Sequence, residues 1–298
     1  MSEKVTMQDI ADRLNISKSL VSRALSDKYG VSDEMRSAIK ITALHMGYQF
    51  SSKQRKRLAN IDSVTIVMSC GDLQDTGYWG QIINSIEKKL NYMRISVFLS
   101  TVDKNDGGTI LPLSVRQMKT QGILILGEIP LQLVAEVSIS KLPIVLVDHS
   151  NSSRLRYDQI LAHNYAGSYS ATEYLIECGH RKIGFVGSKK YSYSFSERLR
   201  GFCECLSDYN ISCKDNPFIL TEGHDSMMIP FSREQFKQVI QPTSHPTALL
   251  CANDPTAFIV YELLREKGLS IPDDISVIGF DNVPKCEWVI PALSTVNV

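Results

Sequence analysis

From residue 64 onward the chain alternates between short, almost wholly apolar runs and amphipathic stretches, and this alternation narrows the possible folds more than any other feature. The runs are VTIVMS (64–69), ISVFLS (95–100), GILILG (122–127) and PIVLVD (143–148), then KIGFVG (182–187), FILTEG (218–223), ALLCAN (248–253) and ISVIGF (275–280). Strands apolar on both sides are buried on both faces, which for parallel strands means helices above and below the sheet. The intervening segments have helical spacing: within 79–90, Ile82, Ile83, Ile86 and Leu90 share one side. Further helices are expected near 164–178, 195–209, 232–240 and 256–267. Eight strands in two sets of four, divided near residue 160, predict two doubly wound parallel α/β halves. Ligands of such sheets sit beyond the carboxyl ends of the strands, so a site is expected in the cleft between the halves. Polar and aromatic groups are available there at 75–79, Asp148, Arg198, Asn253, Asp254, Asp281 and Asn282.

The first residues read differently. In TMQDIADRLNISKSLVSRAL (6–25), Met7, Ile10, Ala11 and Leu14 form one apolar stripe at the helical period. Thr6 just before them, with Asp9 three residues on, is a helix start: a hydroxyl for an unpaired amide and a carboxylate near the positive helix end. Asn15-Ile16-Ser17 breaks the pattern, with Ile16 as the apolar plug under a turn. Ser17 then caps a second helix that turns Leu20, Val21, Ala24 and Leu25 inward. Its other face carries Lys18, Ser19, Ser22 and Arg23 and no acid. This is the pattern of a helix-turn-helix whose second helix enters the DNA major groove, and spacing alone equally allows a plain helical hairpin. A third helix is expected over 33–46, bounded by Gly30, the Ser32 cap and Gly47, offering Met35, Ala38, Ile39, Ala43 and Met46 to the first two. The segment SSKQRKRLANIDS (51–63) sets Lys53, Arg55, Lys56 and Arg57 around a single large apolar residue, Leu58. It reads either as a solvated linker or as a segment lying along phosphates, and as a domain boundary under both.

Net charge is zero, yet residues 1–60 hold 11 Lys and Arg against 6 Asp and Glu. A basic head on a slightly acidic body suits a polyanionic partner for the head. The seven cysteines are scattered and read as reduced thiols of a cytoplasmic protein. Cys203-Glu204-Cys205 lacks a second ligand pair, so no metal site is expected. No apolar run reaches membrane-spanning length, and the polar start MSEKVTMQD is not an export signal. There is no GxGxxG after a strand, no Walker loop, no GxSxG elbow and no HExxH, so neither a cofactor nor an enzymatic activity is expected. His180, between a helix end and a strand, is expected to bond a backbone carbonyl.

With these residues laid out, residues 5–296 resemble the lac repressor/galactose repressor family of bacterial transcription regulators. VTMQDIADRLNISKSLVSRAL resembles the family's helix-turn-helix and VSDEMRSAIKITALHMGY its third helix. ECGHRKIGFVG, ERLRGF, PTALLCAND, IPDDISVIGFDN and IPALSTV resemble its body motifs, in the same order. The resemblance implies a head (1–50), a hinge or linker (51–62) and an effector-binding body (63–298) like a periplasmic binding protein. Within the body it joins 63–160 and 292–298 as one subdomain and 161–291 as the other.

The resemblance also implies roles. Lys18 and Ser19 match base-reading positions with Arg23 one turn later, Thr6 and Ser17 match helix starts that contact phosphate, and Ser22 lies on the same DNA-facing side. Arg57 is expected on phosphates and Leu58 as a wedge in the minor groove at the operator centre. Asp148, Arg198, Asn253 and Asp281 are implied to face the effector cleft, with Tyr78 and Trp79 at its mouth and Asp225 where relatives carry an aromatic. Carboxylates and a guanidinium around a small cavity suit a polyhydroxylated ligand, a sugar, and flat rings stack on its apolar face. Asp254 is expected to be structural. The implied partners are a pseudo-palindromic double-stranded operator, that small ligand and a second copy of the chain in a homodimer, with no membrane.

The chain departs from the family in three places. The entry to the hinge lacks proline, Leu58 comes one residue late, and the sequence ends at Val298 where the family pattern continues. A C-terminal truncation, with part of the dimer surface missing, is therefore expected. The rival reading, a secreted solute-binding protein, requires an export signal and no basic head.

Overall fold

The computed structural model describes residues 5–26, 28–32, 35–36, 38–39, 42–43, 46, 48, 61–103, 111–149, 157–188, 192–221 and 231–298. They fall into two compact units, Met1–Asp62 and Ser63–Val298.

In the first unit, α1 (Met7–Leu14) opens with a reciprocal cap. The Asp9 amide donates to the Thr6 hydroxyl at 3.4 Å, and the Thr6 amide donates to the Asp9 carboxylate at 2.7 Å. Asn15 ends the helix at φ 53°, a left-handed conformation that asparagine tolerates. Helix α2 (Lys18–Leu25) starts where the Leu20 amide donates to the Ser17 hydroxyl at 3.2 Å. Ile10, Ala11, Val21, Ala24, Leu25, Ile39 and Ala43 make a small closed core, with Ile16 packed against its edge as the turn requires. Met35 and Ala38, expected to face inward, are exposed.

Among the described residues the second unit holds two parallel sheets, each of five strands where four were expected. The first has order β2-β1-β3-β4-β5, with β1 Ser63–Ser69, β2 Ser96–Val102, β3 Ile123–Leu126, β4 Ile144–Val147 and β5 Asp158–Ile160. Its helices are α3 (Cys70–Gln74), α4 (Tyr78–Tyr92), α5 (Leu113–Arg116) and α6 (Leu131–Ile139). The second has order β10-β9-β8-β6-β7, with β6 Ile183–Val186, β7 Ile219–Leu220, β8 Ala248–Cys251, β9 Ser276–Asp281 and β10 Ser294–Asn297. Around it lie α7 (Asn164–Glu177), α8 (Tyr193–Asp208), α9 (Arg233–Val239) and α10 (Asp254–Glu266). Numbered within each half, the two orders are the same, so one topology occurs twice and each sheet reverses direction next to its first strand. Each sheet is covered on both sides. Val67, Ile123, Ile125 and Leu146 pack with Val134 and Val137 on one face of the first, and Ile66, Met68 and Leu126 pack with Trp79 on the other.

Residues 292–298 correct the expectation that they return to the first half. Strand β10 pairs with β9 in register Ser294↔Ile278 to Asn297↔Asp281, inside the second sheet. Leu293 and Val296 supply the reason, because both pack into the second half's own core. Within that half α7 and α8 cross at close range over Gly201: a Cβ there would meet the Tyr165 carbonyl oxygen at 2.2 Å. Cys203 on α8 and Cys213 beyond it are joined as a disulfide with Cα atoms 5.5 Å apart, against the expectation of reduced thiols throughout. The turn after α8 brings them side by side. His180 bonds the Thr247 hydroxyl at 2.9 Å rather than a backbone carbonyl.

Candidate nucleic-acid interface and ligand cleft

On α2 the structure places Ser17, Lys18, Ser19 and Arg23 at the surface and Ser22 half-buried beside them. The Ser17 hydroxyl is engaged as the cap and lies 3.0 Å from the Ser19 hydroxyl. The Thr6 hydroxyl is engaged by Asp9, whose carboxyl is held below the usual carboxylate range by the Thr6 amide and hydroxyl. Both threonine and serine are thus helix caps first. Among the described residues, Lys18 and Ser19 are exposed at the start of the reading face, the Ser19 hydroxyl within hydrogen-bond distance of Ser17.

Arg23 is exposed on α2 and also makes a contact that the sequence did not announce. Its Nη2 donates to the Tyr29 carbonyl at 2.5 Å, and the guanidinium lies over Gly30, where a Cβ would come within 2.4 Å of it. Gly30 has φ +88°, a conformation open to glycine. The bond to Tyr29 takes one of the five guanidinium N–H donors and ties the side chain to the loop, so base contact by Arg23 and the shape of that loop are linked. Arg36 holds the same loop from the other side, donating to the carbonyls of Lys28 at 3.0 Å and Val31 at 3.3 Å. The loop therefore presents Lys28 and Tyr29 outward, Tyr29 at 96% exposure, beside the face that carries Ser19 and Arg23. Sequence reading missed this pair. A glycine following two large residues just past a helix was the available signal. Arg57 and Leu58 lie outside the described residues, as does Asp225.

In the body, the carboxyl ends of strands from both sheets converge. Asp148 just beyond β4 and Asp281 at the end of β9 have φ of 48° and 115°, left-handed values at the points where their strands stop. Asp148 accepts from the Tyr78 hydroxyl at 3.2 Å and from the Ser194 hydroxyl at 2.8 Å. Burial, then the carboxylates of Asp148 and Asp281, raise the Tyr78 phenol above its ordinary range, so it remains a donor. Arg198, on α8, is buried with every guanidinium nitrogen engaged: Nε on Asn164 at 2.8 Å, Nη1 on the Ala252 carbonyl at 2.6 Å, Nη2 on Asp281 at 3.1 Å. Its plane lies 3.8 Å over the Phe280 ring. Asp281 is pushed up to about 8 by burial and by Asp254, Asp148 and Asp75, which together outweigh the lowering effect of Arg198.

Tyr78, Asp148, Arg198 and Asp281 are thus brought together, and two others are not. Trp79 lies in the core of the first half, where packing rather than the cleft defines its place. Asn253 caps α10, accepting from the Thr256 amide at 3.0 Å and from the Thr256 hydroxyl. Asp254 ties the strand ends together, accepting from the Val283 amide at 2.9 Å and the Thr295 hydroxyl at 2.5 Å. Ser194 and Asn164 were missed, though polar residues at helix starts after apolar strands mark such positions. A separate cavity of about 220 Å³, with Tyr174, Tyr261 and Pro272 among its lining, opens at the opposite ends of the strands. Among the described residues no group of His, Cys, Asp and Glu is arranged to hold a metal ion, and no helix is long and apolar enough to cross a membrane.

Comparison with known proteins finds matches for both parts of the chain. Residues 6–51 match the family described as bacterial regulatory proteins, lacI family, and residues 172–298 match a periplasmic binding protein-like domain. The ribose operon repressor of Haemophilus influenzae is 28% identical over 98% of this chain and 86% of its own length. The HTH-type transcriptional repressor PurR of Salmonella paratyphi B is 27% identical over 98% and 85%. Among solved structures, the lac repressor dimer bound to operator and the anti-inducer ONPF aligns over 98% of this chain and 87% of its own, at TM-score 0.62 and 23% identity. A LacI family regulator from Enterococcus faecium with bound ribose covers 78% of this chain and 82% of its own, at TM-score 0.64 and 25% identity.

Proposed function

Because the chain belongs to the lacI family of bacterial regulatory proteins, we propose that it is a cytoplasmic transcriptional repressor whose hold on its operator is set by a small polyhydroxylated ligand. In this reading the head (1–50) binds DNA, the segment 51–62 connects it, and the body (63–298) senses the ligand. The observation that carries it is the convergence of Asp148, Tyr78 and Ser194 from two sheets of the same topology, in a chain that also carries the α2 reading face. A carboxylate that accepts from two hydroxyls is chemically suited to a third, which is what a sugar offers. Ribose in the Enterococcus faecium structure and the ribose operon repressor point the same way.

On DNA, Lys18 and Ser19 choose bases, while Lys28, Tyr29 and the helix starts at Thr6 and Ser17 reach phosphates. Arg57 and Leu58 are assigned to phosphate and minor-groove contact by family likeness. Two heads on a symmetric dimer occupy the two halves of a pseudo-palindromic operator. The ligand shifts the balance between two arrangements of the sheets only as far as its affinity for them differs. The test is a binding titration on the DNA upstream of its own gene at several salt concentrations. Sequence preference combined with a steep salt slope supports the proposal, and equal binding to unrelated DNA contradicts it.

A further inference from the structure

The first turn of α8 belongs to the second half of the body, yet carboxylates of the first half hold it. The Tyr193 amide donates to Glu128 at 2.9 Å, and the Ser194 hydroxyl donates to Asp148 at 2.8 Å. Ser192 caps the same helix by accepting from the Phe195 amide at 3.2 Å, so Glu128 takes an amide that this cap does not reach. A carboxylate at the start of a 16-residue helix meets both an orphan N–H and the positive end of the helix dipole. Asp148 is fixed from behind by the Tyr78 hydroxyl on its other oxygen. Arg198 stands one turn further along α8, anchored to Asn164, Ala252 and Asp281 of the second half. Movement of α8 relative to the first half therefore carries Ser194 and Arg198 with it.

We propose that Glu128 and Asp148 clasp the first turn of α8 and so set how the two halves close on one another. Glu128 is then a positioning residue for the cleft: it acts through α8, which bears Ser194 and Arg198. A ligand hydroxyl donating to Asp148 joins Ser194 on the same carboxylate, which couples occupancy of the cleft to the clasp. The clasp goes beyond the DNA-binding reading and does not depend on it.

Tyr193 is the first residue of α8, a position that accepts proline because its amide has no partner within the helix. Tyr193→Pro thus removes the donor and Glu128→Ala the acceptor of one hydrogen bond, from opposite halves. The full chain, with no sugar added, is examined by hydrogen exchange of the amides in the first turn of α8 and by small-angle scattering. Each variant is expected to exchange there about tenfold faster than the parent and to show a larger radius of gyration. The double variant goes no further than either single one, and Glu128→Gln, which keeps the acceptor, lies in between. Unchanged exchange and radius in both single variants overturn the clasp, as do additive effects in the double variant. Operator binding is measured on the same samples. A parent chain that shows the clasp but no sequence-preferring DNA binding contradicts the regulatory reading alone.

Discussion

Arg23 holds the carbonyl of Tyr29, six residues further on, and its guanidinium fills the space over Gly30. A residue placed by family likeness among the base readers is thereby tied to the shape of the loop that follows the reading helix. Arg23→Ala is expected to weaken binding to all DNA sequences together, by about 1.5 kcal/mol or more, since it releases a charged hydrogen bond and the loop with it. Selection from a randomised operator library checks this. A change confined to one base position returns Arg23 to direct readout.

Lys18 carries the opposite expectation. It is exposed at the start of α2, where side chains meet base edges. Lys18→Ala is expected to flatten preference at one operator position, at a cost of about 1–3 kcal/mol against the favoured base. The same library shows it, and uniform weakening across positions assigns Lys18 to phosphate instead.

Gly201 sets the spacing of α7 and α8. An alanine there meets backbone, the Tyr165 carbonyl at 2.2 Å and the Tyr169 amide nitrogen at 3.2 Å, which no side-chain rotation relieves. Gly201→Ala is expected to destabilise the body by about 1–3 kcal/mol, as overpacking does. Thermal melting of the full chain checks it, and an unchanged melting temperature contradicts the close crossing.

Asp281 links stability to pH. Its carboxyl lies near 8 in the folded chain and near the ordinary 3.8 when unfolded, so between those values the folded state holds the extra proton. The contribution is fully present below about 4 and is lost as pH rises through 8. Melting temperature is expected to decline from pH 6 to about pH 9, and Asp281→Asn, which does not titrate, to flatten that decline. An equal slope in the variant places the titration elsewhere.

Much of this was legible in the residues. Apolar runs such as ALLCAN (248–253) became strands because both faces need cover, and the Thr6–Asp9 spacing became the cap of α1 because that chemistry is local. What escaped was set by contacts distant in sequence. Trp79 and Tyr78 are neighbours with the same aromatic character, yet one points into a core and the other at Asp148, 70 residues away. β5 is three residues long and exposed, with no apolar signature to read. β10 was assigned to the wrong half because its sequence motif carries no record of the strand it pairs with. The bond from Arg23 to Tyr29 escaped for the same reason: its partner is a carbonyl, and carbonyls leave no mark in a sequence.

The central claim is that cleft and reading helix are coupled, and linkage tests it most directly. Operator affinity of the full chain is measured by titration with and without a sugar that raises its melting temperature, and sugar affinity with and without operator. The two ratios are expected to be equal, at about 5- to 150-fold. A sugar that binds the body while leaving operator affinity unchanged contradicts the account.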